Sequence, residues 1–215
     1  MHVQVTTLFT GFMFSESNLV ACGQGYSYTV GEKDKKVENF NTIKQVEVWK
    51  VETSTAMLMS TSHWNMQTHH WLKYYVSMRL KDRDLPRGTV QGSVIIMTYF
   101  ISAIWHGPDS GYFAFFVSAA LCDIFGRVVA RTAIAQRVQE IVNAHVIFVG
   151  LWMWNWFSLS YTGMCFPLLD FHKWNALHYN FDYCVHLIVP LGIILASLLP
   201  KARRASKTAP TTTNA

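Results

Sequence analysis

The chain has 215 residues, 51% of them hydrophobic, and a formal net charge of +5. Its apolar residues are clustered in long uncharged blocks, which favours a membrane protein because blocks of this length can cross the hydrocarbon core of a bilayer. The excess positive charge lies mostly in segment 201–207. A short basic segment after an apolar block argues against a nucleic-acid-binding surface and is typical of a cytoplasmic flank.

The amino-terminal segments predict a partial helix, a loop and a surface segment. The apolar run 3–14 is too short to span a bilayer, and it predicts the end of a helix whose beginning is missing. A loop is expected over 15–28, because its closely spaced glycines disfavour a helix interior. Residues 31–53 mix charged with apolar residues and are expected at the membrane surface.

A helix at the membrane interface is expected over 64–85. Aromatic and apolar residues recur there at roughly helical spacing, and Lys73, Arg79 and neighbouring cations lie between or after them. Solvated charge at the interface is the ordinary role of such cations. Their alternative role is to attract the phosphates of a ligand from the cytoplasmic side.

Four apolar blocks follow, and they predict an all-α fold, a polytopic bundle of transmembrane helices. The approximate bounds of the blocks are 90–106, 111–126, 142–166 and 179–199. The second block is interrupted by Asp123 and is expected to continue past Arg127, whereas the others are long enough to span a bilayer. Residues 1–200 are interpreted as one membrane domain, and residues 201–215 as a basic, disordered cytoplasmic tail.

The loops between the blocks give the predicted orientation. The loop at 127–137 and the tail after the fourth block are basic, whereas the connections around Asp109 and Asp170 carry almost no excess positive charge. Basic and non-basic loops alternate, as four crossings require, and basic loops face the cytoplasm. A multi-pass protein with a cytoplasmic carboxy-terminus is therefore expected.

His106 closes the first apolar block, between Trp105 and a turn at Gly107. One interpretation is an interfacial histidine that is hydrogen-bonded to a backbone carbonyl. The other is a general base, because a neutral imidazole accepts a hydroxyl proton near neutral pH. Gly107 and Gly111 are expected to leave room for a substrate beside it.

Asn65 lies near the predicted start of a helix, where asparagine most often caps the helix. Its alternative role is to donate from its amide to a carbonyl oxygen that gains negative charge during acyl transfer. Trp64 and Trp71 fall on one helix face and are either interface anchors or ligand-stacking residues. Asn155, within an apolar block, must find a partner in the bundle or line a cavity.

No metal site is expected. His63, His69 and His70 are close in sequence, but the histidine boxes of membrane di-iron oxygenases are absent and no carboxylate lies at ligand spacing. The other histidines are interpreted as structural, with His172 and His178 in a loop. The cysteines lack a metal-binding or disulfide spacing and are interpreted as buried thiols.

Together, two blocks of the sequence resemble the membrane-bound O-acyltransferase (MBOAT) family, and in particular its lysophospholipid acyltransferase branch. The blocks are Trp64-Asn65…Thr68…Trp71-Leu72-Lys73 and Ser102-Ala103-Ile104-Trp105-His106-Gly107…Gly111-Tyr112. The stretch from Ser15 to Tyr26 is also similar to that branch. The resemblance covers residues 12–200. Family members are about twice as long as this chain, so the resemblance implies that the amino-terminal helices are missing.

The resemblance implies transfer of a fatty acyl group from acyl-CoA to the free hydroxyl of a lysophospholipid, without a cofactor, in the endoplasmic reticulum membrane. The family's asparagine and histidine match Asn65 and His106. The residues expected to bind substrate are Trp64, Thr68, Trp71, Lys73, Arg79, Ser102, Trp105 and Asn155. The alternatives are an O-acyltransferase with another lipid or protein acceptor, a truncated non-catalytic membrane protein, and a transporter. The headgroup, the acyl chain and the oligomeric state stay open.

Overall fold

The computed structural model describes residues 2–30, 36–86 and 89–202. Most of the described residues are helical, which confirms the predicted all-α class. The predicted disordered tail lies outside the described residues from position 203 onward. The helices are α1 (His2–Ala21), α2 (Val48–Glu52), α3 (Met57–His63), α4 (Met66–Leu72), α5 (Met78–Leu80), α6 (Gly92–His106), α7 (Ser110–Val129), α8 (Ala133–Ile141), α9 (Ala144–Gly163), α10 (Cys165–Leu168), α11 (Phe171–Asn180) and α12 (Cys184–Leu198).

A short antiparallel hairpin follows α1. Its strands are β1 (Ser27–Val30) and β2 (Lys36–Asn39), with Ser27 opposite Asn39. The sequence Ser-Tyr-Thr-Val of β1 is rich in the β-branched and aromatic residues that favour strands. The hairpin was not predicted, because 31–53 was interpreted only as a surface segment.

The first helix continues beyond the point where a loop was expected. α1 ends at Ala21, whereas the loop was predicted to begin at Ser15. Ser17 is accommodated within the helix because its hydroxyl donates to the carbonyl of Met13 at 2.8 Å. The helix stops only where Gly23 adopts a φ of 76°, since a left-handed residue after the last turn is a common helix terminator.

The interfacial helix expected over 64–85 is divided into shorter pieces. α4 begins after Asn65, a π-helical turn follows over Lys73–Ser77, and α5 ends at Leu80. A π turn closes hydrogen bonds from i to i+5 and so rotates the residues that follow around the helix axis. The regular helical spacing that predicted one helix is therefore interrupted.

α7 is the central helix of the bundle and packs against α6, α9, α10 and α12. Its buried small residues, Ser118, Ala119 and Ala120, let neighbouring helices approach closely. Asp123 does not interrupt the helix, because Arg127 one turn later donates two hydrogen bonds to its carboxylate, at 2.7 and 3.0 Å. Pairing makes the buried charge tolerable.

Among the described residues, α7 is the one helix that is by itself long and apolar enough to cross a membrane. α11 and α12 together would add a second span, but they are bent by 74°, and α6 is apolar but shorter. The predicted fourth block begins as a continuous helix only at Cys184, because Asp182 and Tyr183 have positive φ angles. The four predicted crossings remain a prediction.

The segment after α7 lies against the end of α12. The N–H of Ala133 donates to the carbonyl of Pro200 at 2.7 Å, and the N–H of Ala202 donates to the carbonyl of Arg131 at 2.8 Å. These hydrogen bonds hold the carboxyl ends of α7 and α12 at the same end of the bundle. The arrangement agrees with the expectation that both basic segments share one side of the membrane, and the cytoplasmic assignment remains a prediction.

We expect cysteines introduced one at a time at Ile134 and Lys201 to react with a membrane-impermeant maleimide from the same side, the cytoplasm, in a protein whose exposed Cys22 and partly exposed Cys184 are replaced by serine. A cysteine at Asp109, before α7, should react from the opposite side, since the 20 residues of α7 carry the chain about 30 Å. Labelling is followed in sealed membranes before and after permeabilisation. Reaction of positions 134 and 201 from opposite sides would contradict the arrangement.

Candidate active site

His106 is the last residue of α6 and lies in an aromatic enclosure. Its ring stacks on Phe116 at 5.1 Å between centroids and meets the ring of Phe166 edge-on at 5.1 Å. Tyr112 lies 5.6 Å away and the exposed Trp105 lies 5.0 Å away. α6 contributes His106 and Trp105, α7 contributes Tyr112 and Phe116, and α10 contributes Phe166. We call these five residues the aromatic enclosure.

The ring nitrogens of His106 are available. Among the hydrogen bonds of the described residues, none involves the His106 ring, and the ring nitrogens are not enclosed by protein atoms. The interpretation of His106 as a histidine bonded to a backbone carbonyl is therefore not supported. The geometry leaves a half-buried imidazole that can exchange a proton with an added substrate.

Gly107 ends α6 directly after the histidine. Its φ of 137° lies in a region that side-chain-bearing residues avoid. Its N–H donates to the carbonyls of Ala103 and Ile104, which closes the last turn of the helix. A glycine at this position fixes the direction in which the chain leaves His106.

Gly111 does not leave room for a substrate, contrary to the expectation from sequence. A Cβ at this position would lie 2.8 Å from the Cα of Leu169 and closer still to the carbonyl oxygen of Cys165. The Gly111 N–H also donates to the carbonyl of Leu169 at 3.0 Å. Backbone therefore fills the space, and this glycine permits α7 to pack against the α10 turn.

Asn65 caps α4 in a left-handed conformation, with φ 46° and ψ 59°. Its Oδ1 accepts from the N–H of Thr68 at 3.4 Å, as the capping interpretation predicts. The amide nitrogen makes no hydrogen bond within the described parts of the chain and is not enclosed. One half of the amide thus stabilises the helix start, and the other half is free to donate.

The side chains near Asn65 in the sequence, from Trp64 to Arg79, fall into two groups. Trp64 packs on α1, 5.0 Å from Phe9 and 5.5 Å from Phe12 between ring centroids. Trp71 is exposed and stacks on Tyr75 at 5.9 Å, and the Arg79 guanidinium lies 5.3 Å from the same ring. The Lys73 ammonium lies 5.5 Å from the centroid of the Tyr74 ring. Trp64 is therefore a packing residue, whereas Trp71, Lys73 and Arg79 form an exposed aromatic and cationic surface.

The segment that carries Asn65 runs beside α6. Thr61 of α3 lies 3.5 Å from the hydroxyl of Tyr99 on α6, oxygen to oxygen, and the π-helical turn also packs on α6. His106 lies roughly 10 Å further along that helix than Tyr99. α6 is continuous from Gly92 to His106. No hydrogen bond or ring contact of the described residues joins Asn65 to His106, and their shared site remains a prediction.

Asn155 is committed to helix packing. It is 3% exposed, and its Nδ2 donates to Ser54 O at 3.1 Å and to the hydroxyls of Ser54 and Ser60 at 2.9 Å each. It thereby ties α9 to α3. Ser102 is buried on α6. Substrate-binding roles for these two residues remain predictions.

Neighbouring charges and burial shift the pKa values of two groups outside the apolar helices, Glu47 and His69. Hydrogen bonds from Lys50 and Lys44 lower the pKa of Glu47, which lines a pocket against α1 that contains none of the predicted site residues. Burial, followed by the charge of His70 and Lys73, lowers the pKa of His69. Within the described residues, no three histidine, cysteine or carboxylate side chains are grouped as metal ligands.

His178 was misplaced by the sequence interpretation. It was expected in a loop, but it lies on α11 and is fully buried. The segment Phe-His-Lys-Trp-Asn-Ala-Leu-His-Tyr-Asn is too polar to be recognised as part of a membrane bundle. A spacing that puts Trp174 and His178 one helical turn apart is the signal that would have indicated a helix with an inward face.

Residues 2–168 match the MBOAT family, the membrane-bound O-acyltransferases. The chain is 29% identical over 191 residues to lysophospholipid acyltransferase 1 of Arabidopsis thaliana, covering 88% of this chain and 40% of that protein. It is 29% identical over 200 residues to the lysophospholipid acyltransferase of Saccharomyces cerevisiae, covering 87% and 30%. The human membrane-bound glycerophospholipid O-acyltransferase 1 is 25% identical over 193 residues, covering 89% and 36%. The chain thus spans less than half the length of these relatives.

We expect Gly111→Ala to destabilise the protein by about 1–3 kcal/mol, the usual cost of forcing atoms into filled space. The clash would separate α7 from the α10 turn. Gly126→Ala on the same helix is the matched control, because a Cβ there meets nothing within 4 Å and should stabilise the helix by about 0.5–1 kcal/mol. Thermal unfolding in detergent measures both. Equal unfolding temperatures for the two variants would contradict the packing role.

Proposed function

Since the chain belongs to the membrane-bound O-acyltransferase family, we propose that the protein transfers a fatty acyl group from acyl-CoA to the free hydroxyl of a lysophospholipid. The names of the relatives, among them lysophospholipid acyltransferases of a plant and a yeast, support this acceptor. The observation that carries the proposal is the His106 ring, which is packed among aromatic rings while its nitrogens have no protein partner among the described residues.

In the proposed reaction, His106 accepts the proton of the lysophospholipid hydroxyl while the hydroxyl oxygen attacks the carbonyl carbon of the thioester. The carbon–sulfur bond then breaks, and the proton passes from His106 to the departing sulfur of CoA. No acyl-enzyme forms and no further reactant is consumed. General base catalysis of this kind contributes roughly 10²–10⁴-fold to the rate.

Asn65 has the complementary role in the proposal. Its amide nitrogen donates to the thioester oxygen, which gains negative charge as the tetrahedral species forms. A preorganised donor of this kind contributes about 10²–10³-fold. The cap that Oδ1 makes to Thr68 holds the amide in one orientation, so that the donor is in place before the substrate arrives.

The surroundings of the two residues support acyl transfer over hydrolysis. The rings of the aromatic enclosure exclude water from one side of His106, and water is the competing acceptor for a thioester. Lys73 and Arg79 lie against tyrosine rings with their charges exposed. We assign them to the phosphates of acyl-CoA at the cytoplasmic face. The expected location is the endoplasmic reticulum membrane.

We expect membranes containing the whole protein to release free CoA from acyl-CoA only when a lysophospholipid is added, and His106→Ala to lower this rate by about 10²–10⁴-fold through loss of the general base. Release of thiol is followed colorimetrically, and the lipid product by mass spectrometry. His172→Ala, an exposed histidine on α11, is the control and should keep the wild-type rate.

Diacylglycerol and a sterol are tested in parallel as acceptors. A product formed only with one of these would assign the protein to another branch of the family. A near-normal rate for His106→Ala would overturn the role of that histidine.

Asn65→Asp separates the two functions of the asparagine. Aspartate tolerates the left-handed backbone and keeps the cap to Thr68, but its carboxylate cannot donate to the thioester oxygen. We expect a loss of about 10²–10³-fold in kcat with an unchanged unfolding temperature. Asn65→Gly keeps the backbone and removes both the cap and the donor, so it should lose the same activity and also some stability. Full activity of Asn65→Asp would restrict the residue to capping.

A further inference from the structure

A cluster of buried and half-buried polar side chains lies next to the aromatic enclosure, and the proposed reaction does not use it. The cluster consists of His178, Tyr161, His186, Ser118 and Cys165, and we call it the His178 cluster. The His178 ring is fully buried and stacks on the ring of Tyr161, with 4.4 Å between centroids and 12° between planes. Its Nε2 lies 3.2 Å from the carbonyl oxygen of Tyr161 and 3.5 Å from the sulfur of Cys165.

The second histidine extends the cluster to two more helices. His186 of α12 lies 2.9 Å from the hydroxyl of Tyr161 through Nδ1 and 3.0 Å from the hydroxyl of Ser118 through Nε2. The five residues come from α7, α9, α10, α11 and α12. One set of polar contacts therefore joins these five helices.

The cluster contains a buried polar atom that lacks a partner among the described residues. The Nδ1 atom of His178 is enclosed and has no hydrogen-bond partner among the described residues. Such an atom costs about 1–3 kcal/mol, and an apolar side chain of similar size would avoid that cost. What the histidine provides is a donor from Nε2 to the last turn of α9, where helix carbonyls lack an intrahelical partner.

A short chain of contacts connects His178 to His106. Cys165, which touches His178, is followed directly by Phe166, whose ring meets that of His106 edge-on at 5.1 Å. The same ring lies 4.9 Å from Tyr112. α10 has only four residues, so its own hydrogen bonds do little to fix its orientation. The contacts of Cys165 therefore act together with the α7 rings that touch Phe166 to set the direction of that side chain.

We propose that His178 is a positioning residue for the acyl-transfer reaction, which holds Cys165 and thereby keeps the Phe166 ring against His106. This inference rests on the proposed function and adds to it a residue that touches neither substrate nor reacting atoms. Its effect is on kcat, because a misplaced general base slows proton transfer whereas the binding of both substrates is unchanged. Displacements of about 1 Å in a catalytic group cost up to about 10²-fold.

The first test compares three variants in the whole protein. His178→Ala is expected to lower kcat by about 10–100-fold with KM values for acyl-CoA and lysophospholipid within about threefold of wild type. His178→Gln, whose amide nitrogen reaches the position of Nε2, is expected to restore most of the rate. His172→Ala, on the same helix but exposed, should match wild type. An unchanged kcat for His178→Ala, or equal losses for the alanine and glutamine variants, would overturn the proposal.

A double-mutant cycle tests the route through Phe166. Phe166→Leu alone should lower kcat, and adding His178→Ala to it should cost less than about threefold more, because residues that act through one another are not additive. Full additivity of the two losses would mean that His178 acts by another route and would overturn the proposal.

Labelling of Cys165 gives a readout that does not depend on activity. The thiol is fully buried and is expected to react slowly with N-ethylmaleimide in wild type and in His178→Gln. In His178→Ala it should react at least tenfold faster, as found by mass spectrometry of the modified peptide. Unchanged labelling would overturn the proposal.

The labelling and the acyl-transfer assay separate the two hypotheses. A wild-type protein that transfers no acyl group to any lysophospholipid would overturn the proposed function, whereas the labelling would still decide whether His178 holds α10. If His178→Ala does not accumulate, His178→Asn replaces it, since its shorter amide cannot reach the Tyr161 carbonyl. His178→Gln is then expected to have a higher kcat and slower labelling of Cys165 than His178→Asn. Equal values for the two variants would contradict the proposal.

Discussion

The contact between the start of α7 and the α10 turn is the constraint on which the candidate site depends. At Gly111 the two backbones are so close that no side chain fits, and the carbonyl of Leu169 accepts from both the Gly111 N–H and the Ser110 hydroxyl. Trp174 in turn donates to the Ser110 hydroxyl at 3.0 Å. This seam holds Tyr112 and Phe116 of α7 opposite Phe166 of α10, so that the rings close around His106. Without it, the Phe166 ring would not close against His106, and only the rings of α6 and α7 would remain around the histidine.

A second set of contacts, between α9 and residues 52–60, attaches the Asn65 segment to the same bundle. The amide of Asn155 binds three acceptors on Ser54 and Ser60, and the indoles of Trp152 and Trp156 both donate to the carbonyl of Glu52. The Asn155 amide is buried and has no water to bind, so its bonds specify one arrangement of α9 against α3. Since α3 leads directly into the cap at Asn65, the asparagine's position beside α6 follows from these contacts. Asn155, which the sequence offered as a substrate-binding candidate, therefore also holds the helices together.

The sequence predicted the parts of this fold that depend on local physics. The apolar blocks predicted helices at α6, α7, α9 and α12, and the preference of asparagine for helix starts predicted the cap at Asn65. What could not be predicted were the features set by tertiary contacts. The space at Gly111 was interpreted as a substrate opening, because sequence does not reveal which backbone lies opposite a glycine. The burial of His178 was missed for the same reason: its partners come from three other helices.

His106 and His178 have opposite electrostatic requirements, which explains why the two histidines are not in contact. In the proposed reaction His106 becomes an imidazolium for part of the cycle, and the face of Phe116 stacked on it stabilises a cation through its quadrupole by about 0.5–2 kcal/mol. The His106 nitrogens are also free for the substrate. His178, in contrast, is suited to remain neutral. Its Nε2 donates to the Tyr161 carbonyl, and an added proton would go to the enclosed Nδ1, which has no acceptor beside it among the described residues. In the two proposals, His106 exchanges a proton and His178 supports the position of α10. The Phe166 ring lies between them, and it can transmit a change of position but cannot carry a proton.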